Sequence, residues 1–106
     1  YEFTGILEKK REIPKKFFFN VLNSLSRDNY VKFVYGIPSK TEVEISVYNI
    51  TGRKVKTLLK DEKEPGIYYV LWNAVDERGK KLGQGTYFVK IKTKDKEEIK
   101  KFILVK

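Results

Sequence analysis

Residues Glu42 to Leu59, EVEISVYNITGRKVKTLL, constrain the fold more than any other stretch. Val43, Ile45 and Val47 alternate with Glu42, Glu44 and Ser46, so an extended chain has one apolar and one polar face. Asn49-Ile50-Thr51-Gly52 follows with turn chemistry, since glycine takes up the positive φ that a tight reversal demands. Lys54 to Leu59 resumes in strand-like residues, with Val55 and Leu58 placed for burial. The stretch reads as a β-hairpin.

The same period recurs along the chain. Phe17-Phe18-Phe19 is a short apolar run, and Asn20 to Asn29 reads as an irregular loop. Tyr30 to Ile37 turns Val31, Phe33, Tyr35 and Ile37 to one side, and Pro38-Ser39 ends it. Lys60 to Gly66 reads as a polar loop, and Ile67 to Asn73 as a central strand with Tyr68, Val70 and Trp72 facing the core. Trp72, the single tryptophan, is the expected core anchor. Thr86 to Thr93 presents Tyr87, Val89 and Ile91, and Glu98 to Val105 presents Phe102 and Leu104. No segment sustains a helical period. About seven short strands separated by turns predict an all-β, antiparallel sandwich.

Asp76 to Gly85 holds three glycines and invites a phosphate or calcium reading. A phosphate cradle needs a helix N-terminus after it, whereas strand-like TYFVKIKT follows. A calcium loop needs alternating oxygen ligands, and here Asp76 and Glu77 meet Arg78, Lys80 and Lys81. A turn-rich connection accounts for the segment better.

Composition narrows the chemistry. The chain has no Cys and no His, which removes thiol nucleophiles, thiolate metal sites and the commonest general base. The acids lie beside Lys in polar loops or at outward strand positions such as Glu42, Glu44, Glu97 and Glu98, where nothing tunes them for proton transfer. An enzyme is therefore not expected, and neither is a cofactor. Lys and Arg total 23 against 14 Asp and Glu, a net +9, but only four are Arg. Scattered Lys favours a solvated surface over a nucleic-acid patch, which usually recruits Arg for its bidentate fork. Abundant Lys and Glu without Cys or Met also fit a thermophile. No run approaches the ~20 apolar residues of a membrane span.

Residues 1–16 divide into an apolar start and a charged stretch containing Pro14. They are expected to be an N-terminal arm or linker, with the sandwich in residues 17–106. Phe3, Ile6 and Leu7 are the candidate strand-donating residues of such an arm. Asn49-Ile50-Thr51 matches a glycosylation acceptor, a short and common motif.

The order of features in residues 13–106 resembles the immunoglobulin-like C-terminal sorting domains of the type nine (Por) secretion system and the related module of the flagellar hook-capping protein. The resemblance rests on Ile45-Ser46-Val47-Tyr48-Asn49-Ile50-Thr51-Gly52-Arg53-Lys54-Val55, on the spacing from Gly66 to Trp72, and on Asp76 to Gly79. Gly85-Thr86-Tyr87 and the closing Lys101-Phe102-Ile103-Leu104-Val105-Lys106 complete it. Asn49 stands where the family places Asp, and Val21 to Ser26 replaces a Pro-rich entry. The resemblance implies a non-catalytic, extracellular or cell-surface immunoglobulin-like β-sandwich whose partners are other protein chains. Lys101 to Lys106 would then be the strand that export or anchoring machinery recognises. Two alternatives stand beside it: a filament subunit whose arm adds a strand to its neighbour, and a basic domain for nucleic acid or an anionic surface.

Overall fold

The computed structural model describes residues 13–22, 25–26 and 30–105. All of its regular elements are strands: β1 (Phe18–Val21), β2 (Leu25–Ser26), β3 (Val31–Ile37), β4 (Thr41–Asn49), β5 (Lys54–Lys63), β6 (Gly66–Trp72), β7 (Gly85–Lys92) and β8 (Glu97–Leu104). They form a three-stranded sheet in the order β1-β3-β6 and a five-stranded sheet in the order β2-β8-β7-β4-β5. Pairing is antiparallel throughout except for two-residue β2, which lies parallel to β8. This is the all-β sandwich that the alternation predicts.

Between the sheets lie Phe19, Val31, Phe33, Tyr35 and Ile37 from one side, and Val43, Ile45, Val47, Val89, Ile91 and Phe102 from the other, all essentially inaccessible to solvent. Phe102 joins the two layers. Its ring stands edge-on to Phe33 at 5.9 Å and to Trp72 at 6.1 Å, and stacks on Tyr87 at 5.9 Å. Val55, Leu58, Tyr68 and Val70 pack, partly buried, around this centre.

Two turns share one construction. At Asn49 the backbone N–H donates to Arg53 O (3.0 Å), and Gly52 N–H donates to Asn49 O (2.9 Å). Asn49 Oδ1 accepts from Thr51 N–H, Thr51 Oγ1–H and Arg53 N–H at 2.7–3.0 Å. At Asp76 the N–H donates to Lys80 O and Gly79 N–H to Asp76 O, both 2.9 Å. Asp76 Oδ1 accepts from Arg78 and Lys80 N–H, again at 2.9 Å. In both, the glycine has a left-handed φ, 88° at Gly52 and 84° at Gly79, closing a three-residue loop. One acceptor oxygen in the right place is all the turn requires, which is why Asn49 serves where a carboxylate would also serve.

Two tyrosines brace the loops that precede their strands. Tyr68 Oη donates to Glu64 O (2.6 Å) and Tyr87 Oη to Gly83 O (2.7 Å), each four residues upstream. Burial pushes the Tyr87 hydroxyl pKa upward. The Tyr35 pKa rises further, first through burial, then through the neighbouring Tyr68 and Asp61. The folded chain thus keeps Tyr35 neutral at a pH where the unfolded chain ionises it, near 10. Its contribution is whole below that value and declines as pH rises toward the folded pKa. The unfolding midpoint should therefore fall above about pH 10, and fall less steeply in Tyr35→Phe. An unchanged slope in that variant would place the alkaline sensitivity on other groups.

Four expectations need correction. Ile67 to Asn73 is not a central strand: among the described residues β6 pairs with β3 alone and ends its sheet. Lys60 to Lys63 belongs to β5, extending it opposite Thr41 to Glu44, since charged residues suit a solvated edge. The expected loop at 20–29 contains the end of β1 and the short β2. Glu98 stands opposite Ile91, on the inward side of β8 at its rim, within 4.0 Å of Lys100.

Candidate interaction surface

Several charged side chains are engaged by the chain itself. Glu77 caps the edge of β5: its N–H donates to Val55 O (3.2 Å), Oε2 accepts from Thr57 N–H (2.7 Å), and Oε1 lies 3.7 Å from Lys56 Nζ. Asp76 holds its turn, and the N–H groups of Lys80 and Arg78 that it accepts keep its carboxyl below the usual range. Lys54–Glu44, Lys90–Glu97 and Lys40–Glu64 add ion pairs at 3.6–4.0 Å. Exposed pairs of this kind contribute less than about 1 kcal/mol each. Among the described residues, no three Asp or Glu side chains come together to hold a metal ion. An open depression of about 530 Å³ between Phe17, Pro38, Thr93 and Asp95 mixes Lys15, Lys16 and Lys96 with Glu98, without converging charge of one sign.

The outward face of the three-stranded sheet differs. Its rows read Phe18–Gly36–Ile67, Asn20–Val34–Tyr69 and Leu22–Lys32–Leu71, so one position in nine is charged. Tyr69 is 68% exposed, Leu71 62% and Leu22 49%. Phe18 lies across Gly36 so closely that a Cβ there would meet its ring at 2.3 Å. The outward face of the five-stranded sheet alternates Lys with apolar residues: Tyr48, Phe88, Lys90 and Ile99 border a shallow apolar depression. Beside it the buried Ser46 Oγ has no hydrogen-bond partner among the described residues.

The residues singled out in the sequence fall in separate places. Trp72 is buried at 4% exposure, with Nε1 donating to Val75 O at 3.1 Å. Lys101 to Leu104 lie in β8, with Phe102 and Leu104 buried while Lys101 and Ile103 face outward. Val105 follows the strand, half-buried. Phe3, Ile6, Leu7 and Lys106 lie outside the described residues. The sequence reading missed the apolar outer face of β6. Its signal was present, since seven consecutive residues without a charge cannot all turn inward in a strand.

No helix among the described residues is long and apolar enough to cross a membrane. The sequence profile of the FlgD Ig-like domain matches residues 22–97. No curated protein sequence matches the chain significantly. Among solved structures, dimeric latent PorU from Porphyromonas gingivalis superposes with a TM-score of 0.65 at 20% identity, over 87% of this chain and 10% of PorU. PorZ, a surface component of the type-IX secretion system of Porphyromonas gingivalis, gives 0.56 at 19% over 83% of this chain and 11% of its own. FlgD from P. aeruginosa gives 0.53 at 18%, over 80% and 65%. The chain thus spans about a tenth of PorU and PorZ, and the likeness at these identities is one of fold. With a sandwich of this topology and a profile match across more than half of its length, the chain belongs to the FlgD Ig-like domain family.

Proposed function

We propose that the chain is a non-catalytic structural module of a secreted or cell-surface bacterial protein, joined to other protein chains through its sheet edges and termini. The observation that carries this reading is where the polar chemistry goes. Asn49, Asp76 and Glu77 and the hydroxyls of Tyr68 and Tyr87 all hold the chain's own backbone. The space between the sheets is filled by rings and aliphatic side chains. Such a body is rigid and presents edges rather than a reaction centre. The fold it shares with small parts of PorU and PorZ supports a role as one part of a longer polypeptide, tethered through residues 1–16. On the same reading, export machinery that recognises residues 101–106 would meet Lys101 and Ile103, since Phe102 and Leu104 face the core.

The test is where the polypeptide resides. Antibody raised against this chain should detect, in fractionated cells of the source bacterium, a polypeptide larger than 12.5 kDa at the surface or in the culture fluid. Confinement to the cytoplasm would overturn the reading.

A further inference from the structure

The edges of the two sheets are not protected equally. β5 carries Lys54, Lys56, Lys60 and Lys63, has two register shifts against β4, and is capped by Glu77. β1 has four residues and β2 two. Lysines, irregular pairing, plugs and short length are the means by which sheet edges avoid pairing with other chains. Among the described residues β6 has none of them. Its seven residues, Gly66-Ile67-Tyr68-Tyr69-Val70-Leu71-Trp72, contain no charge and no proline. They pair with β3 in unbroken register, and on the other side with no strand among the described residues. The outward face beside this edge is the apolar one, with Tyr69 and Leu71 at its rim.

We propose that the free edge of β6 joins the same edge of a second copy of this chain, antiparallel about Tyr69, making one six-stranded sheet from two three-stranded ones. Charge selects the occupant. The chain carries a net +9, and every other described strand of seven residues or more brings Lys or Glu to its pairing partner. An acidic partner would find its complement on the Lys-bearing strands and none along β6. An uncharged strand with an open edge fits another of the same kind, and β6 is self-complementary. Centred on Tyr69, the pairing sets Ile67 opposite Leu71, Tyr68 opposite Val70 and Gly66 opposite Trp72, with like charges nowhere opposed. The outward Ile67, Tyr69 and Leu71 of the two copies then continue a single apolar face. A two-fold contact of this type closes on itself, so assembly through it stops at two.

This inference rests on the assembly reading above and names one edge for it. Sedimentation equilibrium of the 106-residue chain over a concentration series should give a mass approaching twice 12.5 kDa. Tyr69→Lys, at an exposed position, places like charges directly opposite and should weaken the dimer at least about tenfold, with the near-ultraviolet signature of Trp72 retained. Independently, the β6 amides that point away from β3 in the unaltered chain should lose hydrogen-exchange protection on dilution, while those that bond to β3 keep theirs. A single-chain mass at all concentrations, or a dimer indifferent to Tyr69→Lys, would overturn the proposal and leave assembly through the termini standing. A dimer lost on deleting residues 1–12 yet intact in Tyr69→Lys would overturn it too, assigning the contact to the N-terminal segment.

Discussion

Phe102→Ala is expected to destabilise the domain by about 3–5 kcal/mol, the range for removing a fully buried phenylalanine. Phe102 is 1% exposed and its ring meets Phe33 and Trp72 of one sheet and Tyr87 of its own. The cavity would open where the two sheets touch, with rigid rings around it that collapse poorly into the space. Aromatic contacts add about 0.5–1.5 kcal/mol each beyond the burial term, so the upper part of the range is expected. Chemical denaturation should show a lower midpoint with an unchanged slope. A loss below about 1 kcal/mol would mean that the sheets are not joined at this ring.

Trp72→Ala should also lose about 3–5 kcal/mol. The indole is 4% exposed, packs edge-on against Phe102 and donates Nε1–H to Val75 O at 3.1 Å. That bond fixes the chain as it leaves β6 for the Asp76 turn, where Ala74 takes a positive φ of 58°. Trp72→Phe separates the two contributions, because it keeps a ring in the core and removes the donor. It should lose only the smaller part, about 1–2 kcal/mol for the hydrogen bond together with the lost ring volume. Because Trp72 and Phe102 touch, the double alanine variant should lose less than the sum of the two single changes. A Trp72→Ala effect near zero would mean that the indole does not anchor the core.

Much of the inward-facing set was legible because alternation is a local property. Val31, Phe33, Tyr35 and Ile37, then Val43, Ile45 and Val47, then Tyr87, Val89 and Ile91 each stand on one side of a two-residue period, and each group is buried. The turn at Asn49 was equally local, since acceptor, glycine and donors lie within five residues. Its twin at Asp76 was read as a turn-rich connection, but the shared hydrogen-bond pattern emerges only from coordinates.

β6 was misread for a different reason. Apolar residues on both faces are what a strand buried in mid-sheet displays, and its composition invited that placement. Whether a strand has one neighbour or two depends on partners far away in the chain, and no periodicity encodes that. For the same reason Lys60 to Lys63 looked like a loop, although pairing with Thr41 to Glu44 holds it extended.

By itself the sequence determined most of the residues that turn inward, the reversal at Asn49 and the lack of thiol and imidazole side chains, because these depend on side-chain type and short-range spacing. The tertiary structure alone decided which strands end the sheets among the described residues, that Glu77 seals β5, and that the uncharged β6 has one partner strand there, beside an apolar face. Those outcomes follow from pairing between segments tens of residues apart, where a backbone edge is either satisfied or left free to recruit another chain.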